Sequence, residues 1–223
     1  MNSALVGNRS FILTLGLLTA VAAVTIDLSL PAIPEMVRSL GTDLPRGQLI
    51  VGVFMLGMAF GQIPAGLFSD RLGRLPVLYT GMSLFAVAAT VASFAQSIEI
   101  LLAARFVQGM GGASAVVLSR AIVRDIASGQ AAARLMSLMT MIFTVAPVVA
   151  PTIGALLVGQ WGWRGPFVAI AALGFLLLVG IRGFRLETHT PNADGPPWRR
   201  LRRSILEGFS RRGCMCGRVL GGV

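Results

Sequence analysis

Charge is what this sequence has least of, and its distribution excludes more than its total does. Only 13% of the 223 residues are Asp, Glu, Lys or Arg, against about 25% in a soluble domain. Residues 47–69, 75–98 and 135–163 hold no charged residue and no histidine. A large soluble helical core is excluded, because so many uncharged segments would leave almost no polar surface. Lysine is absent, and all nineteen basic residues are arginine; no function follows from that bias. The one histidine, His189, stands in a polar stretch, and the two cysteines, Cys214 and Cys216, form a C-x-C with no further ligands. That is too little for a metal site, and none is expected. No nucleophile–base pair or ligand set stands out either, so neither an enzyme nor a bound cofactor is expected.

What the chain has instead is apolar length. It is 55% hydrophobic with a mean hydropathy of +0.78. A hydrocarbon core about 30 Å thick needs roughly 20 helical residues. Six segments meet that need, at about 11–33, 48–69, 76–96, 98–121, 135–158 and 164–184. An all-α membrane protein with six transmembrane helices is the reading. The first segment has no small-x-small cleavage site before Asp27 and is read as a retained span. Arginine placement orients the set. With the N-terminus inside, six arginines from Arg9 to Arg134 and nine in the tail fall on the cytoplasmic side, against Arg38, Arg46 and Arg164 outside. This obeys the positive-inside rule and puts both termini in the cytoplasm. The net charge of +10 is therefore read as topology and attraction to lipid headgroups, not as nucleic-acid binding.

Residues 1–185 read as one membrane bundle and 186–223 as a basic cytoplasmic linker and tail. THTPNADGPP carries turn residues, and WRRLRRSILEGFSRR is basic and partly amphipathic. The final GCMCGRVLGGV fits neither pattern and is expected to be an arbitrary ending, from truncation or a frame shift.

Four polar or proline-rich features interrupt the apolar helices. Asp27 lies inside the first, where an ionised carboxylate costs roughly 2.5–3.5 kcal/mol and marks a pathway more often than a passive site. Snorkelling to the headgroups is the alternative. Pro31 and Pro34 follow at i+4 and i+7, where they loosen the helix end. In the fourth segment, Arg105, Gln108, Gly109 and Gly112 follow i, i+3, i+4, i+7 and share a face. That face offers a cation, an amide and two bare positions for a close partner helix; a glycine-rich packing helix with a snorkelling arginine is the alternative. Asp27 and Arg105 both count roughly 9 Å beneath the outer boundary, so pairing or a shared water pocket is allowed. The fifth segment repeats Ala-Pro at Pro147 and Pro151, followed by Gly154, which suits a bend or plain packing alike. In the second, Gly57, Gly61 and Ala65 read as a packing stripe.

The last feature is GLFSDRLGR, in the short gap between the second and third segments. It resembles the loop 2–3 signature of the major facilitator superfamily, Gly-x-x-x-Asp-Arg-x-Gly-Arg, at Gly66, Asp70, Arg71, Gly73 and Arg74. RFVQG resembles that superfamily's helix 4 motif, APVVAPTIGA its antiporter helix 5 motif, and DLSLPAIP the Asp-x-x-x-Pro element of drug:proton antiporters. With SRAIVRD and WGWR, the set is most similar to the bicyclomycin/chloramphenicol-resistance (Bcr/CflA) branch, over roughly residues 10–190. Leu75 stands where the loop motif usually has a second basic residue, and Ala150 and Ala155 replace two helix 5 glycines.

The resemblance implies one six-helix half of a major facilitator fold, built from two three-helix inverted repeats, in a bacterial inner membrane. It implies proton-coupled efflux of drugs or small amphipathic metabolites, with the proton gradient as energy source. Asp27 would be the protonation site, and Arg105 with Gln108 would organise the proton and substrate region. Asp70 and Arg74 would latch to Arg124 or Asp125, and Pro151 and Gly154 would supply the antiporter bend. The family has twelve helices and this chain supplies half, so a second six-helix half or a homodimer is the implied partner. A transport-inactive fragment is the alternative.

Overall fold

The computed structural model describes residues 9–183, and the calls on the tail, from the linker to Cys216, lie outside them. Among the described residues, seven α-helices make six apolar spans. These are α1 (Arg9–Ser29), α2 (Ile33–Ser39), α3 (Leu44–Leu72), α4 (Arg74–Ser93), α5 (Ile98–Ile126), α6 (Gly129–Trp161) and α7 (Arg164–Gly183). Here α1 and α2 form one span, Ser10–Ser39, joined by a 3-10 turn at Leu30–Ala32.

That join corrects the expected end of the first span. Proline was expected to loosen the helix near residue 33, but the chain absorbs Pro31 in the 3-10 turn and Pro34 in the first turn of α2. Proline is tolerated in a first helical turn because its missing N–H has no intrahelical partner there. Asp27 consequently lies nearer the middle of its span than the boundary. A second correction concerns the gap at residues 70–75. α3 runs to Leu72 and α4 starts at Arg74, so Gly73 alone separates them. Its φ of 94° is costly for any residue with a Cβ. Polar caps start other spans: Asp43 accepts from the Arg46 N–H at 3.1 Å, and Ser97 accepts from the Ile100 N–H at 3.4 Å. Those side chains satisfy donors that the first helical turn leaves open.

The packing has an internal symmetry. Exchanging α1–α2, α3 and α4 for α5, α6 and α7 carries each main interface into another. The α3–α5 interface maps onto α1–α6, α4–α5 onto α1–α7, and α3–α4 onto α6–α7, while α1–α5 and α4–α7 map onto themselves. Two three-helix repeats of opposite orientation produce that pattern. Small residues make it possible, because lipid is as apolar as leucine and helices associate in it through close packing. At α3–α5, Gly57 and Gly61 meet the backbone of Phe106 and Met110, and Gly109 meets Phe54 and Met58; an added Cβ would collide with main chain at each. At the symmetry-related α1–α6 interface, Gly154 meets the Leu28 carbonyl in the same manner. A core of Phe11, Leu18, Phe54, Met82, Phe85 and Leu118 fills the bundle.

α3 and α6 turn apolar side chains outward, with Val148 75% exposed. Such a surface is stable only against lipid or another apolar protein face.

Candidate functional site

Arg105 is the largest fully buried side chain among the described residues, at 0% exposure. Its Nε donates to the Ile50 carbonyl at 3.4 Å, one terminal nitrogen to Gln108 Oε1 at 3.0 Å and the other to Ser29 Oγ at 3.1 Å. The guanidinium also lies 4.8 Å from the ring centre of Phe54 and 5.5 Å from that of Phe167. A desolvated cation–π contact is worth roughly 2 kcal/mol. Four elements thus converge on one cation: α1, α3, α5 and α7. Gln108 Nε2 is buried with no hydrogen-bond partner.

Asp27 does not pair with Arg105. The ion pairs among the described residues are Arg46–Asp43, Arg74–Asp70 and Arg74–Asp125, and none includes Asp27. The reason is angular: Leu28 and Ser29 face inward, and Asp27, one and two positions earlier, is left half-buried. The alternative in which Arg105 snorkels does not hold, since its side chain points into protein.

The shared face on α5 divides its work. Arg105 and Gly109 meet α3, while Gly112 abuts Phe85 of α4 as well as Phe54. Pro147 and Pro151 lie inside α6, which continues through both.

At the end of the bundle where α3 meets α4, Arg74 holds two elements together. Its Nε donates to Asp125 Oδ2 at 3.0 Å, and one terminal nitrogen donates to Asp70 Oδ1 at 2.8 Å and Ser69 Oγ at 2.6 Å. Ser69 in turn donates to the Gly66 carbonyl at 2.8 Å. The α3–α4 junction is therefore tied to the end of α5. Of the two expected partners on α5 the structure uses Asp125; Arg124 is exposed and outside the network. Arg71 lies in the last turn of α3. Gly66 contributes its carbonyl, with open space where a Cβ would be.

Between α1, α3, α5 and α6 runs a groove of about 500 Å³, continuous through Thr19, Arg120 and Phe143 with a second of about 220 Å³. Met55, Met58, Ile63 and Phe143 give it an apolar wall. Thr19 shares a buried 3.0 Å hydrogen bond with Ser119, which joins α1 to α5 beneath it. Asp27 follows the groove residue Ile26. Two lining residues, Gln62 and Arg120, were missed from sequence. Arg120 was counted only as an inside arginine, although it continues the i+4 stripe of Gly112 and Val116.

Six spans related by this internal exchange make up one half of a major facilitator fold. The Major Facilitator Superfamily profile matches residues 15–222, and the chain belongs to that family. It is 37% identical to the bicyclomycin resistance protein homolog of Haemophilus influenzae, over 80% of this chain and 45% of that protein. It is 33% identical to multidrug resistance protein D of Escherichia coli, over 94% of this chain and 52% of that one. Among solved structures, the peptide transporter POT in complex with alafosfalin superposes with a TM-score of 0.73 at 16% identity, covering 97% of this chain and 47% of the other. The human organic anion transporter MFSD10 superposes with a TM-score of 0.64 at 23% identity, over 82% and 48%. Both likenesses concern the fold. The chain spans about half the length of the curated relatives it matches.

Proposed function

We propose that this chain is one half of a proton-coupled exporter of small amphipathic molecules, in a bacterial inner membrane with both termini cytoplasmic. The observation that carries this reading is Asp27: a carboxylate near mid-span, half-buried, next along α1 to the groove residue Ile26 and without an ion-pair partner among the described residues. A carboxylate exchanges its charge with a single proton, and an ionised one inside a span is costly enough to mark a pathway. Protonation from one side and release to the other would couple the gradient to movement of cargo. Arg105 supplies a fixed positive centre that keeps the two repeats in register around that event. The Arg74–Asp70–Asp125 network steadies one conformation, because opening that end must separate the α3–α4 junction from α5.

The test is proton-gradient-dependent exclusion of a small amphipathic dye such as N-dansylglycine from cells lacking their own efflux pumps. Asp27→Asn is expected to abolish exclusion and Asp27→Glu to keep part of it. Equal exclusion by Asp27→Asn at equal expression would remove Asp27 from the coupling role. A second reading follows from the half-length match: the chain is transport-inactive unless a second six-helix half or a second copy covers the outward faces of α3 and α6. Exclusion that appears only when a C-terminal half from a relative is co-expressed would establish that reading.

A further inference from the structure

The groove carries one charged side chain, Arg120, and that charge has no hydrogen bond or ion pair among the described residues. Across from it, the Gln62 amide on α3 is likewise without a hydrogen bond. The other polar groups of the wall are occupied. Thr19 donates to the Leu15 carbonyl and shares Ser119, and Thr140 donates to the Met136 carbonyl. Every free donor lining the groove therefore belongs to Arg120 or Gln62. Asp70 and Asp125, the carboxylates at this end of the bundle, form their ion pairs with Arg74 and not with Arg120. An arginine fork beside an amide, facing methionine and phenylalanine, is complementary to a planar anion on an apolar body. Methionine walls adapt to bodies of different shape.

We propose that this groove binds amphipathic organic anions, with Arg120 clasping the carboxylate or sulfonate, Gln62 donating a further hydrogen bond, and Met55, Met58 and Phe143 holding the apolar part. This deepens the transport reading and rests on it for the statement that the ligand is cargo; the binding itself is measured without transport. The anion of a lipid headgroup has the same chemistry, and the test separates the two sources.

The probes are N-dansylglycine and its methyl ester, which share a body and differ in charge. Each is titrated onto the full chain in phosphatidylcholine nanodiscs, with dansyl fluorescence as the readout. Wild type is expected to bind the acid more tightly than the ester. Arg120→Gln should weaken the acid by about tenfold, the size of a charge-assisted hydrogen bond, and leave the ester unchanged. Arg120→Lys should recover part of the loss, and Gln62→Ala should lose less than Arg120→Gln. Arg182→Gln, an exposed arginine at the same end outside the groove, should change neither. Replacing part of the phosphatidylcholine by phosphatidylglycerol should leave acid binding intact. Equal binding of acid and ester by wild type, equal loss of both in Arg120→Gln, or an Arg182→Gln effect matching Arg120→Gln would each overturn the proposal. Displacement of the acid by phosphatidylglycerol would overturn it in favour of a lipid site. Loss of dye exclusion with this discrimination intact would instead sink the transport reading alone.

Discussion

Arg105 and Arg74 are both arginines at the junction of several helices, yet they are held by opposite means. Arg74 is 13% exposed and grips two carboxylates, one of them 56% exposed. Arg105 has no exposure and no carboxylate; a carbonyl, an amide, a hydroxyl and two aromatic rings surround it. Near water, an ion pair can break and re-form at little cost, because each charge regains hydration and the attraction is screened. Inside the bundle, separating a charge from its partners has no such compensation. The end network is suited to switching, and the central one to staying put.

That contrast can be broken from either side, and the largest effect is expected at the centre. Arg105→Ala empties the space between Phe54 and Phe167 and strands Ser29 and Gln108. It should cost about 3 kcal/mol or more, read as a fall in the thermal or denaturant midpoint of the purified chain in bicelles. Gly109→Leu comes next, since its side chain would strike the main chain of Phe54 and Met58. A loss of about 1–3 kcal/mol is expected in the same assay. A smaller loss, about 1 kcal/mol, is expected for Thr19→Val, which removes one buried hydrogen bond between α1 and α5. Smallest is the latch: the coupling of Arg74 to Asp125 in a double-mutant cycle should not exceed about 1 kcal/mol, and added salt should reduce it. A latch coupling larger than the Arg105→Ala loss would reverse the comparison.

Much of this was legible in the residues. The six spans follow from uncharged lengths, and the face shared by Arg105, Gln108, Gly109 and Gly112 follows from helical periodicity. The GLFSDRLGR signature pointed to Asp70 and Arg74, though not to the choice of Asp125 over Arg124. Pairing of Asp27 with Arg105 was allowed by depth alone, and depth was the wrong criterion. A helix turns 100° per residue, so two positions along α1 replace Asp27 by Ser29 as the group facing Arg105. Gln62 and Arg120 were not legible as a pair. They lie on different helices, and only the assembled bundle places both on one groove.

What the sequence determined by itself is the set of helices, their alternating direction and the small residues that let them approach. These rest on local properties: apolar length against bilayer thickness, φ freedom at Gly73 and bare backbone at Gly57, Gly61 and Gly109. What only the tertiary structure decided is which charges have partners. Arg105 is satisfied without an anion, Arg74 pairs with both nearby aspartates, and Asp27 and Arg120 are left without an ion-pair partner among the described residues. Partnership depends on rotation and reach across helix interfaces, and those are set by how α3 seats against α5 and α1 against α6.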